Sequence, residues 1–292
     1  MNNKEFSLIE SLSEMLNDGG VTLGVGDDAA LFGETLIAKD IMAEGVHFTK
    51  GAPIMHIMRK IVTANVSDIA AMGGVAEHAL LGIAIPEGYE INAEDLVRPF
   101  NTYGLNLIGG DTTSSKDGLF ISVTIIGRKN EFLLTRSGAK PGDLIYLSRP
   151  VGRVREALDR ELKGEEFYNH YLVKAETELG DLLGKTGYAT SCIDVSDGVG
   201  RDASHIAEKS GVKMVIEAEN FPALGLQSDD PLMYSIESGE EFALLFTVDK
   251  DKSTEFEMAS ANSIRIGHVE EGSGVFLDDG TDISGSGYEH TF

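Results

Sequence analysis

Hydrophobic and polar positions alternate along the chain with two periods, one typical of helices and one typical of strands. Apolar residues recur with a helical period over Ile54–Met72, which predicts an amphipathic helix that ends at Gly73-Gly74. Ala79–Ile85 and Leu119–Ile126 are short apolar runs and predict strands, the second rich in β-branched residues. Strands that alternate with helices favour an α/β or α+β class.

A similar alternation continues beyond a cluster of turn residues, Ser137-Gly138-Ala139-Lys140-Pro141-Gly142-Asp143. Pro-Gly-Asp strongly favours a turn, so we predict a domain boundary near residues 130–140. The expected domains are residues 1–135 and residues 136–292. Further predicted helices are Phe6–Leu16, Val154–Leu162, Tyr168–Leu183 and Val199–Lys209, and further predicted strands are Ile193–Val195 and Phe242–Val248.

The charge of the chain is strongly negative, which narrows the classes of function. The 292 residues include 24 Lys and Arg against 48 Asp and Glu, for a net charge of −24. Binding to nucleic acid or to an anionic membrane is disfavoured, because both need clustered cations. The single cysteine, Cys192, rules out an internal disulfide and a cysteine-based zinc site. Without an apolar signal segment after Met1, we expect a cytoplasmic protein.

Several aspartates lie close to glycines, which let the backbone bend tightly and approach a ligand. Carboxylates from separate loops are typical of Mg²⁺ sites, and Mg²⁺ commonly bridges to phosphates. Taken singly, each segment also fits an ordinary turn, and Asp197 also suits the N-cap of the helix that follows. The four segments are Gly24-Val25-Gly26-Asp27-Asp28, Asp40 with Glu44, Gly109-Gly110-Asp111-Thr112-Thr113, and Asp194-Val195-Ser196-Asp197-Gly198.

Asp68 is harder to explain as an ordinary surface residue. It lies in the last turn of the predicted helix Ile54–Met72, where a carboxylate opposes the helix dipole at a cost of roughly 0.3–1 kcal/mol. Asn65 lies on the same face of that helix, among apolar neighbours. Because a buried carboxylate needs a partner, Asp68 is predicted to bind a metal ion.

Other interpretations of these segments were weighed on chemical grounds. Gly24–Ala29 matches the dinucleotide-binding pattern G-x-G-x-x-A, but its two carboxylates would repel a pyrophosphate. The sequence contains no P-loop pattern. His47 fits either a polar substrate contact or an ordinary structural histidine. A non-catalytic acidic metal-binding protein is an alternative from a different class of function.

An ordered set of motifs along nearly the whole chain resembles one known family. The motifs are Gly26-Asp27-Asp28-Ala29-Ala30, Glu44-Gly45-Val46-His47-Phe48, Ser67-Asp68-Ile69-Ala70-Ala71-Met72-Gly73, Gly109-Gly110-Asp111-Thr112-Thr113, Thr135-Arg136-Ser137-Gly138-Ala139-Lys140-Pro141-Gly142-Asp143, Ile193-Asp194-Val195-Ser196-Asp197-Gly198, Gly239-Glu240-Glu241-Phe242 and Gly287-Tyr288-Glu289-His290. Together they resemble the thiamine-monophosphate kinase family of the aminoimidazole-ribonucleotide-synthetase-like superfamily.

The resemblance implies an α/β (α+β) fold of two domains, similar to aminoimidazole ribonucleotide synthetase, whose N-terminal domains pair into a β-barrel in a homodimer. It also implies ATP-dependent phosphorylation of thiamine monophosphate to thiamine diphosphate. Several Mg²⁺ ions would be held by Asp28, Asp40, Asp68, Asp111, Asp194 and Asp197. ATP would contact Gly110, Asp111, Arg136 and Ser196, and the thiamine-phosphate site would include His47, Glu240 and Tyr288. No catalytic base is assigned, because the acceptor is already a phosphate monoester.

The chain departs from the family pattern in two places. Ala38-Lys39 stands where the family usually has two hydroxyl residues, and Glu240-Glu241-Phe242-Ala243 replaces a usual Glu-Asp-Tyr-Glu stretch. These changes remove a hydroxyl ligand, an acid and a phenol, so they affect the expected metal count and substrate contacts. The alternative function is that of another ATP-using enzyme of the superfamily, a purine cyclo-ligase or a selenophosphate-synthetase-like protein.

Overall fold

Two β-sheets organise the chain in the computed structural model, which describes residues 11, 12, 15, 20–165, 168–223 and 228–289. The first sheet contains β1 (Ala30–Phe32), β2 (Thr35–Ala43), β3 (Gly74–Pro86), β4 (Asn106–Ser115) and β5 (Phe120–Lys129). Its strand order is β1-β2-β5-β3-β4, with β3 parallel to β4 and antiparallel to β5. The helix predicted over Phe6–Leu16 lies largely outside the described residues.

Helix α1 (Ile54–Ala71) covers one face of the first sheet, where the apolar period predicted a helix. Side chains alternate between the two faces of a strand, and along β2 the buried Leu36 and Met42 pack in the same core as Ile61 of α1. The opposite face of the sheet, which we call the outer face, carries exposed apolar side chains. They include Ile37, Ile41, Leu80 and Phe120.

The second sheet contains β6 (Leu144–Leu147), β7 (Ala189–Asp194), β8 (Lys213–Ile216), β9 (Leu244–Val248), β10 (Ile264–Glu270) and β11 (Gly274–Leu277). Its order is β11-β8-β10-β6-β9-β7, and β8 and β11 form its one parallel pair among the described strands. Both faces are covered: Ile145 and Tyr146 are neighbours in β6, yet they belong to separate buried clusters.

The other helices are α2 (Ala93–Thr102), α3 (Arg153–Leu162), α4 (Thr177–Thr186), α5 (Val199–Ser210), α6 (Pro231–Ile236) and α7 (Ser253–Ala259). Short 3₁₀ turns span Asn169–Leu172 and Lys250–Lys252. The predicted helix over Tyr168–Leu183 is therefore wrong, because the chain is extended after Leu172 and becomes helical again only at Thr177. No helix among the described residues is long and apolar enough to cross a membrane.

The segment Gly109–Thr113, which the glycines marked as a loop, lies inside strand β4. Its glycines serve close packing between strands. A Cβ atom on Gly110 would lie only 1.9 Å from the carbonyl oxygen of Leu81 on β3. Glycine therefore allows β4 to approach β3 at this point, so a turn is not needed to explain it.

Candidate active site

A cavity of about 800 Å³ is lined by residues from both halves of the chain. It brings together most of the residues that the sequence predicted for a functional site. Those that line it are Asp28, Asp40, His47, Asp68, Arg136, Asp194, Ser196, Asp197, Glu240 and Tyr288. Gly110 and Asp111 are the predicted site residues that do not line it.

Three carboxylates form a cluster in the wall of this cavity. Asp28 precedes β1, Asp68 lies in the last turn of α1, and Asp194 is the last residue of β7. Each offers an oxygen that lies within 4.8 Å of an oxygen of the other two. Three distant segments of the chain therefore place three acidic groups within 4.8 Å of one another.

Burial and mutual repulsion make the charged forms of these acids unfavourable. Burial, and then the charge of Asp28, raise the pKa of Asp194 to about 8. Burial and the charges of Asp40, Asp194 and Asp28 raise the pKa of Asp68 well above its usual value. Burial also raises the pKa of Asp28, although Arg136 opposes this effect. Arg136 offsets only part of the negative charge of the three carboxylates, and a bound cation would offset more of it.

The donor atoms of the cluster suit a divalent cation such as Mg²⁺. Oδ1 of Asp28 accepts a hydrogen bond of 2.6 Å from Arg136, whereas Oδ2 is buried without a hydrogen-bond partner among the described residues. Mg²⁺ prefers oxygen ligands and is commonly bound through carboxylates. A buried carboxylate oxygen whose lone pairs accept no hydrogen bond, beside two further carboxylates, fits that preference.

Arg136, whose side chain is 21% exposed, brings a positive charge to this cluster. Its backbone N–H donates to Asp27 at 2.7 Å, and its guanidinium donates to Asp28. Burial disfavours the charged guanidinium, but Asp28 and Asp194 outweigh that effect and raise the pKa of Arg136. Arg136 therefore stays charged in the cavity wall.

Asp40 reaches the cavity from strand β2 and is tied to helix α1. Its backbone N–H donates to Oδ1 of Asn65 at 3.1 Å, and Asn65 donates from Nδ2 to the Ile61 carbonyl at 2.9 Å. Burial raises the pKa of Asp40 to about 6, and Lys39 opposes the shift. Asn65, which the sequence placed on one face with Asp68, thus fixes β2 against α1.

The two residues that replace the usual hydroxyls before Asp40 lie in different environments. Ala38 is buried in the core between β2 and α1. Lys39 lies on the outer face, where its ammonium donates to Oγ of Ser122 at 2.5 Å. Neither side chain supplies a hydroxyl oxygen near Asp40.

Asp202 is a buried acid that the sequence analysis missed. Its Oδ2 accepts hydrogen bonds of 3.0, 3.1 and 3.0 Å from the backbone N–H groups of Ser196, Asp197 and Gly198. The N-cap residue of α5 is Gly198, so the interpretation of Asp197 as the N-cap is wrong. Because Asp202 uses these N–H groups, the side chains of Ser196 and Asp197 are what this loop presents to the cavity.

A buried lysine, Lys60 of α1, binds both Glu240 and the backbone of His47, and it also lines the cavity. The Lys60 ammonium lies 2.5 Å from Oε1 of Glu240 and 2.6 Å from the His47 carbonyl oxygen, and it is 3% exposed. Tyr288 is 52% exposed, and its backbone N–H donates to the Asp197 carbonyl at 2.9 Å. Lys60 was not among the predicted site residues, although its spacing of eight residues before Asp68 places both on one face of the helix.

Gly110 and Asp111 lie on the edge strand β4, away from the cavity. Asp40 of β2 pairs with Val123 of β5, Val123 pairs with Leu81 of β3, and Leu81 pairs with Gly110. Three strand spacings separate Asp40 from Gly110, or about 14 Å. Within one chain, the structure does not bring Asp111 to the other predicted metal ligands.

Two family models match the chain. Residues 26–129 match the N-terminal domain of AIR synthase related proteins, and residues 132–280 match their C-terminal domain. A thiamine-monophosphate kinase from Aquifex aeolicus is 30% identical over 311 residues, which cover 98% of this chain and 97% of the relative. One from Pyrococcus horikoshii is 36% identical over 230 residues, covering 75% of this chain and 73% of the relative.

Solved structures agree with these relatives. AaThiL complexed with AMPPCP and TMP has a TM-score of 0.87 and 30% identity, with 98% of this chain and 97% of that chain covered. The hydrogenase maturation protein HypE from E. coli, with a TM-score of 0.68, 18% identity and coverage of 98% and 96%, shares the fold alone. By its full-length similarity to these relatives, the chain belongs to the thiamine-monophosphate kinase family, which lies among the AIR synthase related proteins.

Proposed function

We propose that this chain transfers the γ-phosphoryl group of ATP directly to thiamine monophosphate, which yields thiamine diphosphate. The observation that carries the proposal is the cluster of Asp28, Asp68 and Asp194 in one cavity with His47 and Glu240. Membership of the family supports the reaction. The complex of a 30% identical relative with AMPPCP and TMP supports both substrates.

We propose that Asp28, Asp68 and Asp194 hold Mg²⁺, with Asp40 and Asp197 as further ligands in the same cavity. Bound Mg²⁺ would neutralise negative charge on the crowded phosphates. The buried, unpartnered Oδ2 of Asp28 supports this assignment. Arg136 and Ser196 line the same cavity and would contact the phosphates of ATP.

The reaction needs no general base from the protein. The second pKa of a phosphate monoester is about 6, so the attacking oxygen is already deprotonated at neutral pH. Catalysis then depends on the alignment of the two phosphates and on neutralising their charge. Asp202, by fixing the loop of Ser196 and Asp197, holds one side of that alignment.

We propose a homodimer in which the first sheets of two copies pair. The exposed apolar side chains of the outer face and the exposed strand β4 support this assembly, since both are surfaces that pairing would cover. In a barrel closed by two copies, β4 of one copy lies beside the β1–β2 end of the other. Asp111 of the partner subunit would then approach the free edge of β2 near Asp40.

The proposed domains are residues 1–135 and 136–292, and the proposed compartment is the cytoplasm. The division is supported by the two sheets, which use residues 30–129 and 144–277, and by the two family models, which meet between residues 129 and 132. The compartment follows from the substrates, because ATP is abundant there.

The proposed function is tested by incubating the purified protein with ATP, Mg²⁺ and thiamine monophosphate and by separating the products chromatographically. We expect thiamine diphosphate and ADP in equal amounts. If no thiamine diphosphate forms but ATP is consumed with purine-pathway intermediates or with selenide, the chain is another enzyme of the superfamily. If nucleotide neither reacts nor shifts the melting temperature, a non-catalytic metal-binding role replaces the proposal.

A further inference from the structure

Helix α1 presents three side chains to the cavity, spaced by four residues: Lys60, Ala64 and Asp68. Residues with this spacing lie on one face of a helix. At a rise of 1.5 Å per residue, Lys60 and Asp68 are separated by about 12 Å along the helix axis. One helix face therefore runs from the carboxylate cluster at Asp68 to the Lys60–Glu240 pair.

The middle and far end of this face differ in chemistry from the carboxylate end. Ala64, a small side chain, leaves open space at the centre. At the far end Lys60 fixes both Glu240 and the carbonyl of His47. His170 and Tyr171 also line this part of the cavity. Among the described residues, Nδ1 of His170 is buried without a hydrogen-bond partner, and the hydroxyl of Tyr171 lies near Thr49.

We infer that this face of α1 sets the length of the phosphorylated acceptor, with Lys60 as the positioning residue for its heterocycle. The inference rests on the proposed function and deepens it. The phosphate of the acceptor would lie beside Asp68. A two-carbon arm and a thiazolium ring join this phosphate to an aminopyrimidine, and the connection of about eight bonds has a length of roughly 10 Å. That length matches the distance to Lys60. The unpartnered Nδ1 of His170 suits a ring that offers both hydrogen-bond donors and acceptors.

Lys60 also changes what Glu240 does. At 2.5 Å from the Lys60 ammonium, the carboxylate of Glu240 is already paired. It therefore acts as an oriented hydrogen-bond acceptor for the ring, and it is not a free counter-ion for the thiazolium cation. The pair acts on recognition of the acceptor and leaves the ATP side of the cavity unchanged.

The test compares thiamine monophosphate with its fragment, the thiazole phosphate that lacks the aminopyrimidine, as acceptors for three variants. We expect Lys60→Met to reduce the preference for the whole acceptor by about tenfold in kcat/KM, with KM for ATP unchanged. Lys60→Arg restores part of the preference. Ala64→Leu, which fills the centre of the face, raises KM for thiamine monophosphate by about tenfold or more and leaves AMPPCP binding intact.

Arg59→Met serves as the matched control, since Arg59 neighbours Lys60 on α1 and lies outside the cavity lining, where its guanidinium donates to the Leu172 carbonyl at 3.3 Å. An unchanged acceptor preference in Lys60→Met, equal to that of Arg59→Met, overturns the inference. Wild-type protein that binds AMPPCP yet forms no thiamine diphosphate overturns the proposed function instead. The two failures are therefore distinguishable.

Discussion

Asp68 shows how strongly single residues of this site conflict with the stability of the fold. Its carboxylate opposes the dipole of α1 and lies within 4.8 Å of the carboxylates of Asp28 and Asp194. Burial and the neighbouring charges raise its pKa well above the usual value. Side chains that destabilise a fold and persist are typical of functional sites.

Asp68→Asn is accordingly expected to separate activity from stability. The amide removes one like charge from the cluster, so without divalent cations the melting temperature rises by a few degrees. Turnover of thiamine monophosphate falls by orders of magnitude, because a ligand of the proposed Mg²⁺ is lost. Scanning calorimetry in EDTA and a product assay measure the two effects. Near-normal activity at low Mg²⁺ would exclude Asp68 as a ligand.

The N-terminus of helix α5 is held in place by an aspartate of the same helix, Asp202. Asp202 accepts from three backbone N–H groups that would otherwise lack partners. Its carboxyl is 1% exposed, and burial followed by the charges of Asp197 and Asp194 raises its pKa well above the usual value. The loop of Ser196 and Asp197 therefore depends on an internal cap and is formed before any phosphate binds.

Replacement of Asp202 tests this cap. Asp202→Ala leaves three buried N–H groups without an acceptor, and we expect a loss of about 3 kcal/mol in the free energy of unfolding. Asp202→Asn keeps an acceptor oxygen, so its loss should be smaller. Urea unfolding monitored by circular dichroism measures both values. Equal stability of the Ala and Asn variants would contradict a capping role.

His205, on the same helix, predicts a pH dependence of stability. Burial and the charges of Arg136, Arg201 and Lys209 lower its pKa from 6.5 to about 4. The folded state thus favours neutral imidazole, and this contribution is complete above pH 6.5. It is lost as pH falls from 6.5 to 4, by at most about 3 kcal/mol. His205→Gln should flatten the stability profile in that window, measured by urea unfolding at each pH. A profile parallel to that of the wild type would contradict the assignment.

Two of the helices show which parts of the secondary structure can be predicted from local sequence. Helix α1 was predicted almost to the residue, because its apolar period and terminal glycines are local signals. The helix predicted over Tyr168–Leu183 is interrupted, since Ala175 donates its backbone N–H to the Tyr103 hydroxyl on a distant segment. Tertiary contacts of this kind override local propensity.

The residues of the candidate site also divide into those with a local sequence signal and those that depend on tertiary contacts. Aspartates close to glycines marked Asp28, Asp194 and Asp197 of the cavity, because both residue types are visible in the sequence. Lys60 and Asp202 were not predicted. The partner of Lys60 is Glu240, which is distant in sequence, and Asp202 accepts from backbone N–H groups such as that of Ser196, which no side-chain pattern reveals. Gly109–Thr113 resembled a loop, because glycines needed for close strand packing look like glycines needed for a turn.

The first sheet has an outer face and an edge strand that no other described part of the chain covers. The outer face of the first sheet carries Ile41 and Phe120, and nearly all side chains of edge strand β4 are exposed. Long exposed edges invite pairing with another chain. The same strand carries Asp111, about 14 Å from Asp40 within one chain. A second copy of the chain would cover the sheet and bring this carboxylate to the cavity.

This arrangement predicts that two inactive variants restore each other. Asp68→Asn and Asp111→Asn should each lack activity alone. If Asp111 acts in the cavity of the partner subunit, a mixed dimer has one cavity with both substitutions and one with neither. Co-expressed or refolded mixtures should therefore regain thiamine diphosphate formation, while each variant mixed with itself stays inactive.

Native mass spectrometry shows whether mixed dimers form. Mixed dimers without activity would place Asp111 outside the partner's site, and monomers alone would contradict the dimer, because a closed barrel needs both sheets.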